Sequence, residues 1–436
     1  MKTKQAQVLI VGGGFAGLEA AKALNKLGVT ALLADKNGHH LFQPLLYQVA
    51  TAGLAGPSVA APLRHTLKNC KGIQVVMAEV RDIDGPGARA NIEGMGWMDF
   101  EAIIVASGST HSYFGKDEWE KFAPGLKTLE DAMLIRSRIL GAFEQAEKMA
   151  PGPERDAWMT FAIVGAGPTG VELAGSLSEI AKHALAGEFR SIDPSLARIV
   201  IVEGSDGPLG VLGKELSDRA AKDLAGMGVE IMANARAMGI DDGGIDFEQG
   251  GALARLPAKT VLWAAGVKAS PLAAMAAKGT SAAIDRAGRV AVKQNLSLDG
   301  ADRIFIAGDA ASIQSGGKPV PGQAPAAKQM GMLAARNAAA RIRGEQMQDF
   351  AYVNHGSLAT IGRHRAVVDL GWAKFGGYGA WVFWLLAHIF FLIGWRNRLV
   401  VMSDWGWAYW TKQRWSRVWT GRAAPKDGKD SEPAAS

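Results

Sequence analysis

Short apolar runs, each followed by glycines and then by a helical pattern, occur twice along the chain. Residues 8–11 are all aliphatic, and residues 12–17 read Gly-Gly-Gly-Phe-Ala-Gly before an alanine-rich run through Leu27. Residues 161–164 are also apolar, and residues 165–170 read Gly-Ala-Gly-Pro-Thr-Gly before a second helical run. A short apolar run bounded by turn signals is typical of a buried strand. Each unit therefore predicts a strand, a glycine turn and a helix.

Glycines at this spacing have separate physical roles in a dinucleotide-binding unit. The first allows the tight turn, the second lets the backbone approach a pyrophosphate, and the third brings helix and strand into close packing. The helix N-terminus then attracts the anion. One match of this kind is weak evidence. Two of them, about 150 residues apart, indicate two dinucleotides bound by one protein, which is the arrangement that an electron-transferring flavoprotein needs.

The remaining pattern predicts how the two units are arranged along the chain. Further apolar strands are expected at residues 102–106 and 303–307, a helical connection at 111–158, a helix at 328–343 and strands within 351–370. The fold class expected is α/β, with two Rossmann-like dinucleotide-binding domains and a C-terminal amphipathic helical membrane anchor. The expected boundaries are 1–115 with 290–370 for the first domain, 116–289 for the second, 371–420 for the anchor and 421–436 for a disordered tail.

The C-terminal segment differs in composition from the rest of the chain. Residues 375–395 carry no charge, nine of the 13 tryptophans follow residue 370, and Asp404 is the one acid between residues 370 and 424, among seven lysines and arginines. About 20 apolar residues can span a bilayer, but glycines and His388 interrupt this run, and tryptophan prefers the headgroup region. We therefore expect two amphipathic segments lying in the inner leaflet. A single spanning helix and a buried soluble helix are the alternatives.

Charge and cysteine content narrow the function classes. The formal net charge is +6, and its concentration in the tryptophan-rich segment favours an anionic membrane surface over nucleic acid, for which no recognition fold is predicted. The single cysteine, Cys70, excludes an internal disulfide and a Cys-x-x-Cys redox pair. Residues 1–7 lead directly into a short strand, so no signal peptide is predicted and a cytosolic main body is expected.

Three acidic residues follow predicted strands. Asp35 ends an apolar run about 20 residues beyond the first glycine loop, where a carboxylate suits a ribose diol. Glu203 ends the matching run after the second loop, and an acid there repels a 2′-phosphate, so NADH is favoured over NADPH. Asp309 follows Gly308; a Gly-Asp pair alone is a common turn, but with a flavin-type loop at the N-terminus it suits the ribityl chain of a flavin.

Five blocks together carry a family resemblance: residues 12–17, 43–50, 165–175, 263–267 and 308–311. The chain resembles the type II NADH dehydrogenases, which are single-subunit, non-proton-pumping NADH:quinone oxidoreductases with FAD. Residues 43–50 and the tryptophan-rich tail make this match narrower than the glycine loops alone. Sulfide:quinone oxidoreductases and disulfide reductases need catalytic cysteines that the chain lacks. A flavin- and NADH-binding membrane redox sensor, or another NAD(P)H-dependent flavoprotein reductase, is the alternative.

The resemblance implies non-covalent FAD, NADH and the residues that bind them. For FAD it implies Gly12, Gly13, Gly14, Phe15, Ala16, Gly17, Asp35, Lys36, Val80, Ala106, Gly308, Asp309 and Ala327. For NADH it implies Gly165, Gly167, Pro168, Thr169, Gly170, Glu203, Gly266 and Val267. No metal is implied.

The resemblance also implies a catalytic acid and a quinone site. Glu172, on the first helical turn after the second loop, matches a family glutamate beside the flavin and nicotinamide; as a plain acid at a helix N-terminus it would be stabilised by the helix dipole. The quinone residues implied are Gln48, Gln323, Gln329 and His388. Pro325 replaces the first glutamine of the family's usual pair, and Gln323 is close enough in sequence to compensate. His388 is as compatible with a plain interfacial position.

The partners implied are a membrane quinone, either ubiquinone or menaquinone, and the anionic surface of the cytoplasmic face of the inner membrane. A peripheral or monotopic attachment is expected, and a homodimer is left open.

Overall fold

A computed structural model describes residues 6–414 and 416–418. The predicted disordered tail at 421–436, together with Trp415 and Trp419, lies outside the described residues. By internal contacts the chain divides into two compact units. The first comprises the described residues up to Leu41, with Ala60–Thr110 and Val267–His355. The second comprises Phe42–Val59, His111–Gly266 and the described residues from Gly356 onward.

These units differ from the expected domain boundaries in several segments. Residues 42–59, 111–115 and 356–370 belong to the second unit, residues 267–289 belong to the first, and the described part of the expected anchor is counted with the second unit. Residues 42–59 join the second unit because their helix packs against two of its longer helices. Which nucleotide each unit binds stays a prediction.

The helices within the described residues are given in chain order. They are α1 (Phe15–Lys26), α2 (Leu46–Ala50), α3 (Gly56–Val59), α4 (Leu63–Thr66), α5 (Leu129–Glu147), α6 (Pro153–Trp158), α7 (Pro168–Glu179), α8 (Lys214–Gly226), α9 (Pro271–Ala277), α10 (Ala324–Arg343), α11 (Tyr378–Phe391) and α12 (Trp395–Thr411). A wider π-helical turn, Ile180–Ala184, extends α7.

The strands are numbered in the same way. They are β1 (Val8–Val11), β2 (Ala31–Asp35), β3 (His39–Leu41), β4 (Ala60–Pro62), β5 (Ile73–Met77), β6 (Val80–Asp84), β7 (Arg89–Ile92), β8 (Gly96–Asp99), β9 (Ala102–Val105), β10 (Ser109–His111), β11 (Thr160–Val164), β12 (Arg198–Val202), β13 (Val229–Met232), β14 (Ala235–Asp241), β15 (Gly244–Gln249), β16 (Ala252–Pro257), β17 (Thr260–Trp263), β18 (Val267–Ala269), β19 (Val290–Ala291), β20 (Ser297–Leu298), β21 (Ala301–Ile306), β22 (Ala311–Ser312), β23 (Gln314–Ser315), β24 (Lys318–Pro319), β25 (Ser357–Gly362), β26 (Arg365–Asp369) and β27 (Lys374–Gly376).

The first unit is built on a six-stranded sheet in the order β20-β21-β9-β1-β2-β5. Strands β21, β9, β1, β2 and β5 run parallel, and β20 is antiparallel to β21. All four residues of β1 and of β9 are buried, as expected for central strands covered on both faces. Helices α1 and α10 pack against each other. The carboxyl ends of β1, β2 and β9 therefore meet at one sheet edge, where α/β folds bind their ligands.

The second unit repeats this plan on a smaller sheet. Its four parallel strands have the order β13-β12-β11-β17, and α7 follows β11 through the second glycine loop. A three-stranded antiparallel sheet, β25-β26-β27, packs with its first strand against α7. This contact requires a glycine, because a Cβ on Gly175 would lie 1.6 Å from the carbonyl oxygen of Ile361.

The C-terminal segment forms two helices, α11 and α12. The face of α11 that carries Ala380, Trp384 and His388 is buried. The opposite face exposes large apolar side chains, among them Leu386 and Phe390. The exposed surface of α11 is therefore mostly apolar, and its histidine is on the buried face. None of the helices in the described part of the chain combines the length and apolar character that a bilayer crossing needs.

Candidate functional site

The first glycine loop connects β1 to α1 at the sheet edge. Gly12 has φ of +99°, and a Cβ there would lie 2.5 Å from the carbonyl oxygen of Ala106. A Cβ on Gly17 would lie 1.8 Å from the carbonyl oxygen of Gly12. Gly14 is the N-cap residue of α1; no side chain caps the helix there, and a Cβ on Gly14 would meet no atom within 4 Å. The loop therefore leaves an uncapped helix N-terminus open to an anion.

The second glycine loop, between β11 and α7, has the same geometry. Gly165 has φ of +100°, and a Cβ on Gly170 would lie 1.9 Å from the carbonyl oxygen of Gly165. Gly167 is the N-cap residue of α7, again without a side-chain cap and with open space where a Cβ would lie. Pro168 and Thr169 form the first turn of the helix, where proline loses no hydrogen bond.

Both predicted ribose carboxylates are held by the glycine loops in matching ways. The Gly13 amide donates to Asp35 Oδ2 at 2.5 Å, and the Ala166 amide donates to Glu203 Oε2 at 2.5 Å. The second oxygen of each carboxylate accepts from an amide two residues further on, Asn37 for Asp35 and Ser205 for Glu203. Burial raises the pKa of Asp35 despite these bonds. Each carboxylate is therefore fixed at the mouth of its own loop.

The remaining predicted FAD residues lie in the first unit. Ser109 Oγ donates to Asp309 Oδ2 at 2.7 Å, which orients that carboxylate in the turn after β21. Gly308 begins the same turn and packs against α10, since a Cβ there would lie 3.4 Å from Ala327 Cβ. Ala106 and Lys36 directly follow β9 and β2, and Val80 begins β6.

Two buried polar atoms beside the first loop test whether the loop suits a bound group. His40 Nδ1 lies 3.0 Å from the Gly13 carbonyl oxygen and must donate to it, because a carbonyl only accepts. Burial lowers the pKa of His40 to about 4, so the ring is neutral and its Nε2 is a hydrogen-bond acceptor. Among the described residues, His40 Nε2 and Ser107 Oγ have no partner. Such atoms fit a polar ligand better than they fit an apolar core.

The last two predicted NADH residues fall on either side of the boundary between the units. Gly266 ends the second unit after β17, where a Cβ would lie 2.7 Å from Phe114 Cζ. Val267 begins β18, belongs to the first unit and is about half exposed.

A cavity of about 980 Å³ lies within the second unit. It is lined by residues of α2, α7, β25, α11 and α12, and both Glu172 and Gln48 reach it. Glu172 lies on α7, four residues beyond the start of the helix at Pro168. The structure therefore brings the predicted catalytic acid and one predicted quinone residue together.

Burial controls the charge of the titratable groups in this cavity. Burial raises the pKa of Glu172 well above its usual range, although a backbone hydrogen bond from Thr360 opposes the shift. Burial, and then the charge of Glu172, raises the pKa of Tyr47 well above its usual range. The neutral forms of both side chains are therefore favoured.

The other three predicted quinone residues do not line this cavity. Gln323 and Gln329 belong to the first unit, and the Gln329 amide group makes two hydrogen bonds of 2.9 Å with the backbone of Val353. His388 is buried in the second unit, with Nδ1 2.8 Å from the Trp384 carbonyl oxygen and its ring stacked on Trp384. Burial lowers the pKa of His388 to about 4, so its neutral form is favoured.

Sequence reasoning missed three cavity residues that the structure brings together. Tyr47 is buried at the cavity wall, and Trp405 of α12 bonds to the neighbouring Gln48. Arg414 donates to Glu179 Oε2 at 2.8 Å. Tyr47 lies within residues 43–50, one of the blocks on which the family resemblance rests, so the sequence could have indicated it as a site residue. Trp405 and Arg414 had no such indication in the sequence, because a basic, tryptophan-rich segment indicates a membrane surface equally well.

Comparison with known proteins agrees with this geometry. The family model of the pyridine nucleotide-disulphide oxidoreductases matches residues 6–331, and the model of the NDH2 C-terminal domain matches residues 354–409. In Mycobacterium tuberculosis, the type II NADH:quinone oxidoreductase NdhA is 41% identical over 94% of this chain and 88% of its own length. The related enzyme Ndh of the same organism is 39% identical over 92% of this chain and 87% of its own.

Solved structures share the fold at lower identity. The structure of NDH2 from Plasmodium falciparum in complex with NADH superimposes with a TM-score of 0.84 at 18% identity, covering 95% of this chain and 99% of that one. The sulfide:quinone oxidoreductase of Aquifex aeolicus superimposes with a TM-score of 0.71 at 18% identity, covering 91% and 92%. The chain belongs to the pyridine nucleotide-disulphide oxidoreductase family and, within it, to the type II NADH:quinone oxidoreductases.

Proposed function

We propose that this protein oxidises NADH and reduces a membrane quinone, with FAD as its cofactor. The observation that carries the proposal is the position of α7. This helix begins at the second glycine loop, with its N-terminus open at Gly167, and carries Glu172 into the cavity. One element thus links a nucleotide loop to a cavity that is lined by a half-buried acid with a raised pKa.

The first unit supplies the residues that would hold FAD. Its glycine loop would receive the pyrophosphate, Asp35 the ribose and Asp309 the ribityl chain. His40 Nε2 and Ser107 Oγ, which have no partner in the described part of the chain, support such a ligand beside this loop. When bound, FAD supplies the two-electron chemistry that accepts hydride from NADH and passes electrons to quinone.

The second unit supplies most of the residues that would hold NADH, and it contains the cavity that would hold quinone. Glu203 would bind the adenosine ribose and repel a 2′-phosphate. The cavity would take the quinone ring, with Glu172 as the buried acid. Ubiquinone and menaquinone both have two carbonyl oxygens, so both suit this site.

The direct test uses the purified protein with its flavin. NADH is expected to bleach the flavin absorbance, and a short-chain quinone is expected to restore it with steady turnover. NADPH serves as the matched control and is expected to bleach the flavin much more slowly. Bleaching without reoxidation by quinone would favour the redox sensor, and no bleaching by NADH would contradict the proposal outright.

We propose a peripheral position on the cytoplasmic face of the membrane. The exposed surface of the C-terminal helices supports attachment to a membrane surface. Leu386 and Phe390 on α11 are each about two thirds exposed, as is Trp395 at the start of α12. Arg396 is exposed beside them and would face anionic headgroups. Large exposed apolar groups flanked by tryptophan and arginine are typical of interfacial helices. Quinones are dissolved in the bilayer, so docking there would bring the substrate to the cavity.

The double variant Leu386→Glu with Phe390→Glu is expected to weaken binding to anionic vesicles by at least about tenfold, because each side chain would lose its apolar burial in the interface. Vesicle flotation measures the bound fraction. The control is Leu253→Glu, an equally exposed apolar position on β16. Equal flotation of both variants and the parent protein would remove α11 from the docking surface.

A further inference from the structure

Three side chains form a hydrogen-bonded chain that ends at the cavity. Trp405 Nε1 donates to Gln48 Oε1 at 2.7 Å, and Gln48 Nε2 donates to the Tyr47 hydroxyl oxygen at 2.9 Å. Tyr47 is only 6% exposed, and all three residues line the cavity. The chain joins α12 to α2, two elements that are distant in sequence.

The chemistry of the indole fixes the direction of every bond in this chain. An indole N–H can only donate, so the Gln48 atom that faces Trp405 must be the amide oxygen. The amide nitrogen then faces Tyr47, and the tyrosine oxygen must accept from it. The Tyr47 hydroxyl hydrogen is therefore directed away from Gln48. Within the described part of the chain, that hydroxyl makes no second hydrogen bond.

A second set of contacts holds the backbone of Tyr47 in place. Thr51 Oγ1 donates to the Tyr47 carbonyl oxygen at 2.8 Å and lies 2.7 Å from Ser176 Oγ on α7. Arg414 donates to the Thr51 carbonyl oxygen and to Ser176 Oγ, both at 2.9 Å. These buried bonds tie α2 to α7, so Tyr47 and Glu172 keep a fixed relation. Such preorganisation favours one orientation of a bound ligand.

We infer that Tyr47 is the hydrogen-bond donor to a quinone carbonyl oxygen, and that Trp405 is a positioning residue that acts through Gln48 to keep the hydroxyl hydrogen directed into the cavity. The inference rests on the proposed function, since it takes this cavity as the quinone site. It assigns Gln48 a connecting role, because both ends of its amide are already bonded. It also gives α12 a role in the site in addition to membrane docking.

Burial supports a donor role for Tyr47. Its raised pKa keeps the phenol protonated at neutral pH, so the hydrogen is present throughout the working range. A carbonyl oxygen of a quinone only accepts and needs such a donor. A site built around a substrate's polar atom discriminates strongly against ligands that lack it.

The test compares quinone affinity and NADH-driven flavin bleaching in detergent, with a water-soluble quinone. Tyr47→Phe is expected to raise the KM for quinone by about 3- to 10-fold, the usual effect of losing one hydrogen bond, with an unchanged rate of bleaching by NADH. Tyr352→Phe, which removes a tyrosine hydroxyl that does not line the cavity, is the matched control and is expected to leave both values unchanged.

Gln48→Glu tests the direction of the hydroxyl. A carboxylate still accepts from Trp405 but also accepts from Tyr47, so it turns the tyrosine hydrogen away from the cavity. Its quinone KM is therefore expected to match that of Tyr47→Phe, and the double variant is expected to be no worse than either. Trp405→Phe is expected to give a smaller rise in the KM for quinone. Its control is Trp410→Phe, at a highly exposed position of the same helix, which is expected to have the KM of the parent protein.

The outcomes separate this inference from the proposed function. If quinone does not reoxidise the flavin of the parent protein, the proposed function fails. If the parent protein turns over and Tyr47→Phe has the parent KM, the donor role is overturned. If Gln48→Leu raises the KM for quinone and Tyr47→Phe does not, Gln48 is instead the direct quinone contact.

Discussion

Gly14→Ala is expected to lower the affinity for FAD by about 10- to 100-fold and to yield protein that loses its flavin on gel filtration. In the protein alone, a Cβ on Gly14 meets no atom within 4 Å, so the fold has room for the methyl group. A pyrophosphate at the N-terminus of α1 would occupy that room, and overpacking of this size costs about 1–3 kcal/mol. Flavin content per protein, with the melting temperature of the flavin-free form, is the measurement.

Gly167→Ala is the matched variant in the second loop, because a Cβ there also meets open space. It is expected to keep its flavin and to raise the KM for NADH by a similar factor. Gly17→Ala and Gly170→Ala provide the contrast. Their Cβ atoms would lie 1.8 and 1.9 Å from backbone oxygens, so both are expected to lower the melting temperature of the protein itself. Loss of flavin in Gly167→Ala with retention in Gly14→Ala would reverse the assignment of nucleotides to units.

The pattern of the sequence predicts the strand, turn and helix around each glycine loop. A run such as residues 8–11 followed by glycines predicts strand, turn and helix, because the turn needs the positive φ of Gly12 and because a Cβ on Gly17 would lie 1.8 Å from the Gly12 carbonyl oxygen. Asp35 and Glu203 follow from the same logic, since a carboxylate at the end of the second strand must lie beside the loop that follows the first.

The parts of the site that sequence reasoning missed depend on contacts between distant residues. Trp405 and Gln48 are separated by 357 positions, and nothing in either local pattern indicates the other. The same holds for Gln329, whose amide bonds to Val353. The sequence does not decide whether the His388 side chain is buried or lies at the membrane interface. The pattern places it in an apolar segment, but packing decides which face of α11 is buried.

Glu172→Gln is expected to slow reoxidation of the flavin by quinone by about 100-fold while leaving bleaching by NADH nearly unchanged. Glutamine keeps the size and the hydrogen-bonding capacity of the buried acid but cannot release a proton, and a positioned acid contributes about 10²- to 10⁴-fold. Stopped-flow absorbance separates the two half-reactions. Equal slowing of both would indicate that Glu172 orients the nicotinamide, and parent rates in both would remove it from the proton path.

The raised pKa of Glu172 gives this experiment a second readout in pH. The parent protein is expected to lose quinone reduction as pH rises through the folded pKa of Glu172, because the acid is protonated only below it; the Gln variant should show no such decline.

The stability of the parent protein is also expected to fall as pH rises. The folded state binds the Glu172 proton more tightly than the unfolded chain does. The contribution of this proton to the free energy of unfolding is therefore fully present below the ordinary glutamate pKa near 4.5, and it is lost as pH rises through the folded pKa. The melting temperature of Glu172→Gln should therefore rise relative to that of the parent protein as pH rises. If the difference between the two melting temperatures stays constant with pH, the carboxyl is not buried.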